Sequence, residues 1–157
     1  MIALLAVAAI LQTPGAWVVT EERSRLTGAA SYLAGVESSE PILNTIGRPQ
    51  KAMVSVTCIG GERRVGIIWP TYMGRDGVDM SWKFDEGPIR SRVVNVLEGG
   101  RHAIIDGRMG DEFMDQIAAS GELVVAVSAY RDRQEAVFAL AGGAEVVASV
   151  RQACPGR

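Results

Sequence analysis

Few residues in this chain are equipped for chemistry. His102 is the only histidine, and so the only side chain whose ordinary titration falls near neutrality. It has no acidic or cysteine neighbour at metal-ligand spacing, so no zinc set is expected. A serine nucleophile would need this imidazole as its base, yet no G-x-S-x-G elbow occurs. Carboxylates cluster as Asp76 with Asp79, Asp85 with Glu86, and Asp111 with Glu112 and Asp115. Acidic turns and helix starts account for all three groups without acid-base catalysis. Gly60-Gly61 and Gly99-Gly100 read as hairpin turns, not as the strand-to-helix junctions that cradle phosphate. The expectation is a protein that binds rather than catalyses, with no metal and no cofactor. An envelope hydrolase using His102 and one carboxylate is the catalytic alternative.

The two cysteines carry a different message. Cys58 ends an alternating run from Ala52, and Cys154 falls on the apolar face of a C-terminal helix, so both point into a core. With no other cysteine in the chain, they are expected to form one disulfide. A buried pair closing so long a loop implies an oxidising compartment and therefore export.

The most distinctive segment is Trp69-Pro70-Thr71-Tyr72-Met73-Gly74-Arg75-Asp76. An aromatic strand end, a proline, a glycine and an opposite-charge pair can build a rigid connection whose ends are tied by polar contacts. Tyr72, with a flat amphipathic ring, and Arg75, with a bidentate fork, also suit a ligand carboxylate, a sugar or a protein surface. Tyr72, Arg75 and Asp76 are the candidate binding residues.

These groups sit in a chain of 157 residues, 48% hydrophobic, which is enough for one core but short for two domains. A net charge of -2 argues against nucleic acid as a partner. Between residues 63 and 108, Arg63, Arg64, Arg75, Lys83, Arg90, Arg92, Arg101 and Arg108 outnumber the carboxylates. They read either as strand residues facing water or as an anion-binding patch. Met1 to Leu11 is apolar and precedes Pro14, Gly15 and Ala16, as in a signal peptide over residues 1–16, and it is too short to span a bilayer. The alternative is a buried first element. On the first reading residues 17–157 form a single exported domain with no stable membrane span.

The remaining pattern is mainly β, an α+β antiparallel sheet or sandwich-like domain with two short helices. Period-two alternation predicts strands over Trp17–Glu22, Ser31–Ser38, Met53–Ile59, Arg64–Trp69, Asp79–Phe84, Ile89–Leu97 and His102–Ile105. In the central hairpin Val54, Val56 and Cys58 face Val65, Ile67 and Trp69 across the Gly60-Gly61 turn. Ser39 to Gln50 reads as the longest loop. A helix is expected from an N-cap at Asp111, with Glu112 and Asp115 at its positive end and Gly121 closing it in the left-handed region. Leu123–Tyr130 and Ala136–Leu140 should pair across a charged turn from Arg131 to Glu135. The last helix, about Ala144 to Ala153, aligns Val146 and Val150 with Cys154, and Pro155 stops it.

A strand with a cysteine, a strand ending in tryptophan, Tyr72-Met73-Gly74-Arg75-Asp76, the late Tyr130, Ala136 to Leu140 and the closing Val150-Arg151-Gln152-Ala153-Cys154 follow one another in an order that resembles the VasI/TagO-type proteins. That family is associated with type VI secretion gene clusters of Gram-negative bacteria. The resemblance covers most of the chain from Trp17 to Cys154. It implies a periplasmic accessory protein whose partner is an envelope or secretion-apparatus protein. A periplasmic inhibitor or binder of a cell-wall enzyme, or of a cell-wall fragment, is the alternative.

Overall fold

A computed structural model describes residues 15–97, 99–129 and 132–155. Most of residues 1–16, where a leader is expected, and Tyr130 lie outside these ranges. The described elements are β1 (Val18–Arg23), β2 (Ala30–Glu37), β3 (Ile42–Leu43), β4 (Pro49–Gln50), β5 (Met53–Ile59), β6 (Glu62–Ile68), β7 (Gly77–Phe84), β8 (Arg90–Val96) and β9 (His102–Ile105). They are followed by α1 (Gly107–Ala119), β10 (Glu122–Ala129), β11 (Asp132–Ala139) and α2 (Gly143–Ala153).

Nine strands form one antiparallel sheet in the order β1-β2-β5-β6-β9-β8-β7-β10-β11. It is a single continuous sheet, not two facing ones. The sheet curls until its ends approach each other: the Ser39 N–H, just past β2, donates to the Val137 carbonyl in β11 at 2.8 Å. Gly15, before β1, lies against Ala139 so closely that a Cβ there would come within 2.7 Å of the alanine methyl. Curling suits a sheet this wide, because each strand is rotated by a constant hand relative to its neighbour. It also buries the inward alternate residues without a second sheet. Val54, Val56 and Cys58 of β5 and Val65 and Ile67 of β6 line this inner face, as their alternation requires, together with Trp69 just beyond β6.

The helices cover part of the concave face and pack on each other. Glycine lets them approach closely. A Cβ on Gly110 would lie 2.7 Å from the Ile105 carbonyl oxygen of β9, and one on Gly143 would lie 2.8 Å from the Ile117 carbonyl oxygen of α1. Helix α1 therefore starts at Gly107, one turn before the expected Asp111 cap, and Asp106 is its N-cap. Gly110 fits the helix against the sheet. The first turn holds no acidic residue, and the helix closes at Ser120 with extended backbone, not at a left-handed Gly121. The Gly121 and Glu122 N–H groups donate instead to the Asp85 carboxylate.

Two other expectations change. The segment 39–50 contains the short β3–β4 pair. Strand β11 begins at Asp132, so most of the expected Arg131–Glu135 turn is paired strand, with Arg133 opposite Ser128 and Glu135 opposite Ala126. Cross-strand hydrogen bonding extends the ladder through residues whose side chains alone look like a turn.

Cys58 and Cys154 form a disulfide with Cα atoms 5.7 Å apart, joining the end of α2 to β5. Beside it, Arg63, opposite Cys58 in β6, reaches both helices. Its guanidinium donates to the Cys154 carbonyl at 3.2 Å and pairs with Asp111 of α1 at 3.1 Å. The helix layer is thus held by one covalent and one ionic clamp side by side.

Candidate functional site

The Trp69–Asp76 connection is built as a rigid platform. Trp69 is 1% exposed, and its indole N–H donates to Gln134 Oε1 of β11 at 2.8 Å. The Gln134 amide donates in turn to the Leu43 carbonyl at 3.2 Å, and the Thr71 hydroxyl donates to that same carbonyl at 3.4 Å. Thr71 and Met73 are buried, and the Met73 N–H donates to the Gly100 carbonyl at 2.6 Å. From the other side Arg101 donates to the Trp69 and Pro70 carbonyls. The polar contacts that tie the segment thus come from Gln134, Leu43 and Arg101, with no ion pair between Arg75 and Asp76.

Trp69, Pro70, Thr71 and Met73 are buried, whereas Tyr72, Arg75 and Asp76 are exposed. Tyr72 is 42% exposed, and the inner edge of its ring rests on Gly100, where a Cβ would fall 2.1 Å from Tyr72 Cε2. Gly100 has φ +69 and Gly74 φ +138, so both positions need glycine for conformation as well as for space. All three predicted binding residues are exposed.

His102 is more enclosed than a strand-surface residue. Its Nε2 is buried with no hydrogen-bond partner among the described residues, and it lies over Gly66, where a Cβ would come within 2.5 Å of both Nε2 and the Ser55 hydroxyl. Burial holds its pKa below the ordinary 6.5. The unfolded chain therefore takes up a proton on this ring before the folded chain does, and stability falls as pH drops from about 6.5 toward the lowered folded value. His102→Gln is expected to flatten that slope, measured as urea midpoints at about pH 7.5 and about pH 5. An unchanged slope would assign acid sensitivity to other groups.

Four of the clustered carboxylates have structural partners. Asp85, at φ +47, caps the start of β10. Asp111 pairs with Arg63, Glu112 with Arg108 at 2.9 Å, and Asp115 with Arg151 at 2.6 Å. Among the described residues no group of three or more His, Cys, Asp or Glu is placed to hold a metal ion. No helix among them is long and apolar enough to cross a membrane.

A second concave feature lies at the other end of the β7–β8 pair. The groove, of about 1080 Å³, runs between β8 and α1. Trp82 and Phe84 of β7 form its floor with Phe113 of α1; the ring centroids are 5.6 Å apart for Trp82–Phe113 and 5.0 Å for Phe84–Phe113. Arg90 and Arg92 line its β8 wall.

Comparison with solved structures then identifies the architecture. The chain is similar to invasion associated protein b from Bartonella henselae. The match has a TM-score of 0.55 and 12% identity, and it covers 90% of this chain and 95% of that one. At this identity the likeness establishes the fold, and it reaches nearly end to end in both molecules. No protein-family model matches the chain, and no curated protein does.

Arginine placement is what reading the sequence missed. The arginines of β6 and β8 read either as strand residues facing water or as an anion-binding patch; Arg90 and Arg92 are exposed and Arg63 is half-buried, but all three share the face of buried core residues, in register with Trp82, Met80 and Cys58. The available signal was parity: Arg90 and Arg92 stand an even number of residues from the buried Val94 and Val96.

Proposed function

We propose that this protein is an exported, disulfide-closed binding protein of the bacterial envelope that acts without catalysis, and that the Tyr72–Asp76 surface is its contact site for a partner protein. The observation that carries this reading is the exposure of Tyr72, Arg75 and Asp76 on a segment whose alternate residues are anchored in the core. A tyrosine and an arginine are the side chains that most often concentrate binding energy at protein interfaces. Because the backbone beneath them is already tied, little ordering cost remains to be met on docking. The disulfide supports residence in an oxidising compartment such as the periplasm. The resemblance of Tyr72–Asp76 and the cysteine-ended helix to VasI/TagO-type proteins favours a partner from a type VI secretion apparatus.

The test is a double substitution, Tyr72→Ala with Arg75→Ala. It is expected to leave the unfolding midpoint within about 0.5 kcal/mol of the parent, because both side chains are exposed. Affinity for the cognate partner, measured against purified envelope components of a type VI system, is expected to fall at least about tenfold. Unchanged binding and unchanged secretion output would refute the site.

A further inference from the structure

Arg90 and Arg92 occupy inward-facing positions of β8 that α1 does not cover. They alternate along one strand, so their side chains stand roughly 6–7 Å apart on the same wall. The other charges of the groove are already matched: Glu112 binds Arg108, and Asp115 binds Arg151. Neither Arg90 nor Arg92 has a carboxylate within salt-bridge distance among the described residues. Beneath them the floor is aromatic, with Met109 of α1 partly buried beside it. A concave site with an apolar floor and a few convergent charged groups is the usual form of a binding pocket. Arg90 and Arg92 are exposed, although the positions opposite them on β7 hold the buried Trp82 and Met80.

We infer that this groove docks an acidic peptide segment of a partner protein, with an aromatic or aliphatic side chain resting on Trp82, Phe84 and Phe113 and carboxylates held by Arg90 and Arg92. Charge complementarity selects the occupant. The unmatched cations are guanidiniums, which grip carboxylates in bidentate fashion, and the floor takes an apolar anchor between them. The inference is independent of the Tyr72–Asp76 surface: Gly77 starts β7 beside that surface, and Trp82 and Phe84 lie at the strand's far end.

The experiment selects displayed random peptides of about twelve residues, long enough to cross the groove as an extended strand, against the disulfide-bonded protein. Enriched peptides are expected to carry aspartate or glutamate around Phe, Trp, Leu or Met. A synthetic copy of the best one is expected to bind R90E/R92E at least about tenfold more weakly, and to bind Y72A as it binds the parent. Both arginines are exposed, so R90E/R92E should keep its Tm within about 2 °C. A lysine-substituted version of the peptide should recover affinity for R90E/R92E. Enrichment without acidic residues, or affinity unchanged by R90E/R92E, would overturn the proposal. So would failure to enrich any peptide, including when phosphatidylglycerol vesicles bind through the same arginines, since the groove would then serve a membrane surface instead.

Discussion

Removal of the Cys58–Cys154 bond, in a Cys58→Ser/Cys154→Ser protein, is expected to lower the free energy of unfolding by about 3 to 5 kcal/mol. The bond closes a loop with a sequence separation of 96 residues. The chain-entropy account gives about 4 to 5 kcal/mol for a loop of that size. For a single domain with a net stability of about 5 to 15 kcal/mol, that is a large share. The loss should be expressed unevenly. Arg63 still holds the Cys154 carbonyl and Asp111, and Val146, Val147 and Val150 still pack on the sheet. With its covalent tie to β5 gone, only these non-covalent contacts hold helix α2, so it should open first, with local unfolding ahead of the global transition. Urea denaturation with and without reductant measures the first effect, and hydrogen exchange along residues 143–153 measures the second. Mass analysis of the purified protein should show the chain two hydrogens lighter than its reduced form. Two free thiols would remove the principal support for export, and a midpoint unmoved by reduction would show that the helix layer holds without the bond.

Trp69→Ala is expected to cost about 3 to 5 kcal/mol, the usual range for truncating a buried aromatic side chain. Trp69 sits where β6 ends and the proposed contact segment begins, so the loss is not confined to the core. The indole N–H is the partner of Gln134, and Gln134 holds the Leu43 carbonyl that Thr71 also uses. Without the ring the Tyr72–Asp76 segment loses its anchor to β11 and keeps only the Thr71 bond to Leu43 as its tie to β3. Partner affinity should drop even at temperatures where the protein remains folded, because the segment must then be ordered on binding. Trp69→Phe separates the two contributions. It keeps most of the volume and gives up the hydrogen bond, for an expected loss of about 1 to 3 kcal/mol with the unmatched Gln134 included. If Trp69→Ala leaves amide exchange in residues 71–76 at parent rates, the platform does not depend on this anchor.

Together the binding segment and the groove suggest a molecule with two separated contact regions at opposite ends of the β7–β8 hairpin. Their chemistries differ. The first offers a tyrosine with one charge of each sign, and the second offers two cations over aromatic rings. R90E/R92E and the Tyr72→Ala/Arg75→Ala protein therefore serve as each other's folding controls.

Several elements were legible from residue order because local alternation and turn chemistry agreed. The β5–β6 hairpin is the plainest case: Gly60 and Gly61 both take positive φ, and Val54, Val56, Cys58, Val65 and Ile67 all face the core. The apolar face of α2 pointed Cys154 at the sheet, and the disulfide follows from that geometry. The start of α1 was not legible, because Gly110 serves a backbone-to-backbone approach that only the packed sheet reveals. The β11 boundary was hidden for a related reason, since its first residues are polar and paired through the main chain.

By itself the sequence determined a β-rich chain with one cysteine pair, a hairpin built around Gly60-Gly61 and an exposed Tyr72–Asp76 segment. These depend on neighbours close along the chain, where side-chain periodicity and turn residues act directly. Only tertiary structure decided the sheet order, with β9 inserted between β6 and β8, the curl that brings Ser39 to Val137, and the assembly of a groove from Trp82, Arg90 and Phe113. Each of these joins residues distant in sequence. Their partners are chosen by which buried faces fit together, and that choice leaves no local pattern to read.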